Sequence, residues 1–245
     1  MDKKVAFLFD VDGVIVNTPH EESWRTAAIN LGVISEEFDF KSFYQKNIAG
    51  IPGLEGARKI LEISHHYKNA NQKEKNEAAK KLREIKQKFL EQYIGERKVG
   101  VFNDIISIVK SAKENKIPIS AVSSSENAER ILKSINLFDV FDSTTLGAIK
   151  HRTPRKEYLY SFAFGKLYEN LGVLDLPYPV VFEDADKGIL AVKSLDYLCI
   201  GIARGSTTEE SLLELGADLT YNEQKLAEKG YKGVMKDIEE ILKEN

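Results

Sequence analysis

Four short stretches of this chain are apolar almost without interruption: residues 5–9, 117–122, 180–182 and 198–202. A strand with one solvated face alternates apolar and polar residues, whereas a strand covered on both faces does not. Between these stretches, apolar residues recur at helical spacing. Ile105, Ile108, Val109 and Ala112 form one such set, and Ala128, Ile131, Leu132 and Ile135 another. Gly188, Ala191 and Leu195, with Leu190 less cleanly, suggest a third. The alternation predicts an α/β fold, with a doubly wound, mainly parallel sheet and helices on both faces.

Residues 18–97 break this pattern, because no run there reads as a strand. Trp24, Ala27, Ala28 and Leu31 share one face of a helix predicted over 21–31. A second helix is expected over 54–67. A long charged helix is expected over 73–93, with Ala78, Leu82, Ile85, Phe89 and Tyr93 at helical spacing and its charges on a solvated face. The predicted organisation is a Rossmann-like core of residues 1–17 and 98–245, interrupted by a helical module over 18–97. Residues 221–245 read as a loop and a closing amphipathic helix.

Charge and composition narrow the function. With 35 Lys and Arg against 38 Asp and Glu, the chain has no basic excess, so a nucleic-acid partner is not expected. No window approaches the roughly 20 apolar residues of a membrane span. The first apolar run is too short for a signal peptide, so a cytoplasmic location is expected. The single cysteine, Cys199, lies in an apolar run and reads as a small buried hydrophobe. The sequence fits a monomer and a homo-oligomer equally.

The chemistry concentrates where predicted strands end. The first runs into Phe9-Asp10-Val11-Asp12-Gly13-Val14. In parallel sheets ligands bind beyond the carboxyl ends of strands, so Asp10 is placed at that edge. Asp12 follows two residues later, and Gly13 permits a tight turn. Taken alone, the stretch also reads as a plain Asx turn. A second acidic pair, Glu183 and Asp184, ends the run at 180–182. Carboxylates gathered at one edge repel one another, and a hard cation such as magnesium relieves that repulsion. Helix capping is the alternative for this pair. A third strand ends in Ser123-Ser124-Ser125-Glu126-Asn127 before a helix, a setting that suits an anion or simply a capping loop.

In this order the stretches resemble the haloacid dehalogenase superfamily. More narrowly, they resemble its subgroup with a helical cap after the first motif, which includes beta-phosphoglucomutase-like proteins. The resemblance implies that Asp10 attacks phosphorus and that Asp12 acts as acid and then base. It implies Mg2+ held by Asp10, the Asp12 carbonyl and Asp184, with Glu183 contributing. Ser123 would bond a phosphoryl oxygen, with Ser124, Ser125 and Asn127 beside it. The family's lysine motif departs here: Thr153 stands where a lysine is usual. Lys150, Arg152 and Lys156 are near enough to replace it, with Lys150 or Lys156 preferred. His20 and Trp24 resemble substrate-binding positions. Mutases place an arginine where Gly53 stands and often a lysine where Glu126 stands. His65 and His66 read as surface residues. The expectation is a phosphatase acting on a small phosphorylated metabolite such as a sugar phosphate, the alternatives being a sugar phosphomutase or a catalytically idle binding protein.

Overall fold

A computed structural model describes residues 4–48, 51, 53–64, 67, 70–148, 150, 151, 155–171, 177–205 and 207–244. The expected Arg152, Thr153, His65 and His66 lie outside these residues. The chain divides into two compact units, Met1–Thr18 with Gly100–Asn245, and Pro19–Val99.

The first unit is built on a six-stranded parallel sheet. It comprises β1 (Val5–Asp10), β4 (Ile119–Ser123), β5 (Ser143–Leu146), β6 (Tyr178–Glu183), β7 (Leu198–Ala203) and β8 (Leu219–Asn222). Their order is β5-β4-β1-β6-β7-β8, the doubly wound arrangement expected. Every residue of β1 is buried, as two-sided coverage requires. Phe9 of β1 stacks on Phe182 of β6 with ring centroids 4.5 Å apart, and Phe7 meets Phe182 edge-on at 5.2 Å. Such aromatic pairs add about 0.5–1.5 kcal/mol beyond area burial. The strand expected at 117 starts at Ile119, because Pro118 has no N–H to give; its carbonyl instead accepts the Phe7 N–H at 2.9 Å.

The helices of this unit are α5 (Asn103–Glu114), α6 (Ala128–Ser134), α7 (Lys156–Leu171), α8 (Asp186–Lys193), α9 (Glu209–Glu214) and α10 (Glu223–Glu244). The last is kinked at Gly230, whose φ is 56°. Arg204, just past β7, donates from Nη2 to both oxygens of Asp104 at 2.8 Å and lies 3.6 Å over the Phe102 ring. It thereby ties the end of β7 to the start of α5. A short antiparallel ribbon of β2 (Val16–Asn17) and β3 (Gly100–Val101) joins the two points where this unit is interrupted.

The second unit is helical, with α1 (His20–Asn30), α2 (Phe40–Asn47), α3 (Gly53–Leu61) and α4 (Gln72–Gly95). Its core gathers Trp24, Ala27 and Ala28 from α1, Ala57 and Ile60 from α3, and Leu82 from α4. Asn71 opens α4 with a capping box: its side chain accepts the Glu74 N–H, and the Glu74 side chain accepts the Asn71 N–H, each at 3.0 Å. The helix expected over 54–67 stops at Leu61. The N–H groups of Ile63 and Ser64 turn back to the carbonyls of Ile60 and Leu61, a tightening that ends the α pattern. The charged helix departs from a wholly solvated polar face at one place. Lys86 is buried, with Nζ 3.1 Å from His20 Nδ1 and 5.5 Å over the Trp24 ring. Among the described residues no helix is long and apolar enough to cross a membrane.

Candidate active site

The carboxyl ends of β1 and β6 are neighbours in the sheet, so the acidic residues that end them are brought together. Asp10 and Glu183 are the last residues of those strands, and Asp184 follows β6 directly. Carboxylate oxygens of all three lie within 4.8 Å of one another. The turn after β1 brings the backbone tightly against this group. Gly13 has a φ of 92°, and a Cβ there would sit 2.0 Å from Asp184 Oδ2. Asp12 is fixed beside it, its Oδ1 accepting the Thr18 N–H at 3.2 Å.

Lys156, the first residue of α7, inserts its ammonium into this cluster. Nζ donates to Asp10 Oδ1 at 3.0 Å and to Glu183 Oε1. Glu183, wholly buried, receives further donors. Tyr160 Oη reaches Oε1 at 3.1 Å, while the main-chain N–H groups of Asp184 and Ala185 reach Oε2 at 2.7 and 3.0 Å.

These surroundings set the protonation of the site. The Asp10 carboxyl is pushed up to about 7, first by burial and then by repulsion from Glu183 and Asp12, with Lys156 acting in the opposite sense. Asp184 is raised as well, again first by burial and then by Glu183 and Asp10. Burial works against the charge on Lys156, but Asp10 and Glu183 outweigh it and raise its pKa, so the ammonium stays charged. The protein's own cation therefore leaves Asp10 and Asp184 short of positive charge. An oxygen-only donor set with that deficit fits a hard divalent cation. An open cavity of about 580 Å³ reaches this edge, lined by Gly13, Asn17, Asp184, Arg204 and Asn222 among others.

The remaining candidates fall into three places. Ser123 is buried at the end of β4 and accepts the Ser125 N–H at 3.1 Å, while Ser125 Oγ accepts the Asn127 N–H at 3.2 Å. Ser124 is exposed. These contacts make the loop a local capping network leading into α6. Lys150 is not drawn to Asp10: its side chain is 67% exposed and its Nζ lies 3.8 Å from Glu129. His20 and Trp24 belong to the helical unit, where His20 pairs with Lys86 and Trp24 is buried. Beside Trp24, Arg83 Nε lies 3.5 Å from where a Cβ on Gly53 would sit.

Tyr160 and Lys86 are polar groups at these places that the sequence reading did not single out. Tyr160 lies one helical turn from Lys156, a spacing that puts both on one helix face. The one signal for Lys86 is its place four residues from both Leu82 and Leu90, on the apolar stripe of α4.

A family model for a haloacid dehalogenase-like hydrolase matches residues 5–196. The chain belongs to the haloacid dehalogenase-like hydrolase family. Among relatives, beta-phosphoglucomutase of Bacillus subtilis is 27% identical over 224 residues, covering 87% of each chain. The archaeal beta-phosphoglucomutase of a hyperthermophilic Pyrococcus, also 27% identical, superposes with a TM-score of 0.76 over 96% of this chain and 98% of its own. CbbY of Rhodobacter sphaeroides, solved with xylulose-(1,5)bisphosphate, has a TM-score of 0.64 at 19% identity, over 92% of this chain and 96% of its own. That last likeness speaks for the fold alone. Together the family model and the relatives make this a phosphoryl-transfer enzyme of the phosphatase and mutase type.

Proposed function

We propose that the chain is a magnesium-dependent phosphatase of a small phosphorylated metabolite, in which Asp10 is the nucleophile. The observation that carries this reading is the Lys156 ammonium on Asp10 Oδ1 within a buried set of carboxylates. An Asp10 oxygen attacks phosphorus, forming an aspartyl phosphate as the bond to the ester oxygen breaks. Asp12 gives its proton to that leaving oxygen. It then takes a proton from the water that attacks the aspartyl phosphate, which frees inorganic phosphate and restores Asp10. Lys156 bonds a phosphoryl oxygen and offsets the charge of the transferring group. Asp10, Asp184 and the Asp12 carbonyl, with Glu183 contributing, would hold magnesium, which would supply further neutralisation of that charge. Ser123 orients a second phosphoryl oxygen, and His20 and Trp24 are retained as substrate-binding residues on the resemblance alone.

A sugar phosphomutase is the second reading. Two observations favour it: both 27%-identical relatives are beta-phosphoglucomutases, and Arg83 supplies a cation beside Gly53, where the resemblance lacks its arginine. The two readings differ in whether water or a substrate hydroxyl takes the phosphoryl group.

The test is phosphate release from a panel of sugar phosphates and other phosphorylated metabolites, with magnesium and with chelator, in the native chain and in Asp10→Asn. Release that depends on both magnesium and Asp10 is expected. Conversion between sugar phosphate isomers, without net release and with a need for a bisphosphorylated activator, would replace the phosphatase by the mutase. Activity retained in Asp10→Asn would sink both.

A further inference from the structure

Glu183 is the most heavily bonded of the buried carboxylates. Its Oε2 is held by two main-chain N–H groups, and its Oε1 takes both Lys156 and Tyr160. A carboxylate oxygen offers about two lone-pair sites, so Oε1 is saturated by these two donors. We propose that Tyr160 is a positioning residue. Its hydroxyl fixes Oε1, the oxygen that Lys156 holds most closely, and through that oxygen sets where the ammonium stands against Asp10 Oδ1. This rests on the reading of Asp10 as the nucleophile.

The geometry leaves Lys156 divided between two carboxylates, Asp10 Oδ1 at 3.0 Å and Glu183 Oε1. Glu183 is immobilised, with no exposure and its other oxygen fixed to the backbone. Removing the Tyr160 hydroxyl leaves Oε1 with one donor. The fixed direction in which Oε1 holds the ammonium is then lost, and Nζ shifts from the place where the phosphoryl group is transferred. The Tyr160 ring itself packs among Leu8, Val181 and Cys199. Packing of that kind asks only for an aromatic ring, which phenylalanine supplies. The hydroxyl contributes nothing to such packing; it donates to Glu183 Oε1.

Tyr160→Phe tests this directly, because the ring stays and only the hydroxyl goes. The expected result is a fall in kcat of about tenfold with KM changed by about twofold or less, the scale of one hydrogen bond to a charged group. In a Lys156→Met background the same substitution should change kcat by about twofold or less, since the group it positions is gone. Beryllium trifluoride, which mimics a phosphoryl group on Asp10, gives a readout that needs no turnover. Its Kd in the presence of magnesium should rise about tenfold in Tyr160→Phe. An unchanged kcat and an unchanged Kd in Tyr160→Phe overturn the inference. So does an equal fall in the Lys156→Met background, which would mean that Tyr160 acts independently of Lys156. Should Lys156→Met not fold, the split between kcat and KM decides: a raised KM at native kcat overturns it. A native chain that released no phosphate from any compound would refute the phosphatase reading instead, and the beryllium trifluoride comparison would still decide the role of Tyr160.

Discussion

Gly188 lies in the first turn of α8, where an alanine would ordinarily help. Replacing a helical glycine with alanine gains up to about 1 kcal/mol. Here the sign should reverse. A Cβ on Gly188 would stand 1.7 Å from Glu183 Oε1, 2.0 Å from Cδ and 2.6 Å from Cγ. A flexible side-chain tip could step aside, but Glu183 cannot, because its Oε2 is bonded to the N–H groups of Asp184 and Ala185. Overpacking of this kind costs about 1–3 kcal/mol. Dislodging the carboxylate breaks a buried ion pair with Lys156, on the order of 3–5 kcal/mol when complete. Setting partial relaxation and the helix gain against these, we expect Gly188→Ala to lose about 3 kcal/mol. For a chain of this size that lowers Tm by roughly 6–12 °C. Thermal unfolding followed by circular dichroism measures it, with Gly165→Ala as control. Gly165 is exposed on α7 with no atom within 4 Å of its would-be Cβ, and alanine there should leave Tm level or slightly raised. Equal Tm values for the two variants would refute the claim that Glu183 is pinned against α8.

Two other outcomes follow from neighbouring features. Lys156→Met should lower turnover by roughly 10²-fold or more, while Lys150→Ala stays near native; comparable losses in both would mean that the phosphate-facing cation has been misplaced. Partial burial raises the Asp237 carboxyl, but hydrogen bonds from Lys229 and from Tyr221, the latter at 2.6 Å, outweigh it and hold the group below its ordinary value of 3.8. Its contribution to stability is therefore full above that value and is lost as pH falls through the lower folded value. Urea unfolding of Asp237→Asn against the native chain should show a constant stability gap near neutral pH that closes in acid; a gap independent of pH would count against these bonds.

The parts of the fold that were legible in the sequence are those buried on both sides. β1, β4, β6 and β7 are the interior strands of the sheet, and continuous apolar runs announce them. The two edge strands escaped notice. β5 reads Ser-Thr-Thr-Leu and β8 reads Leu-Thr-Tyr-Asn, because an edge strand pairs on one side only and tolerates polar residues. α2 was missed for a related reason, since Phe40 is its only buried residue and its pattern is too weak to stand out. At the site, the strand-end carboxylates were readable from their position after apolar runs. The cation was not, because Lys150 and Lys156 lie in one basic stretch and only the start of α7 separates them in space. Lys86 is hidden in a helix that carries charge along most of its length.

The place of β1 in the sheet bears on how the chain is made. β1 is synthesised before the helical unit, yet its two neighbours begin at Ile119 and Tyr178. At about 5–20 residues per second, roughly 8–35 s pass before β6 emerges to cover the strand's second side. The helical unit, Pro19–Val99, is complete well before then, with contacts local enough to form early. A newly made chain therefore holds a finished helical module beside an unpaired hydrophobic segment, Val-Ala-Phe-Leu-Phe, and that segment is where association with chaperones or with other nascent chains would begin.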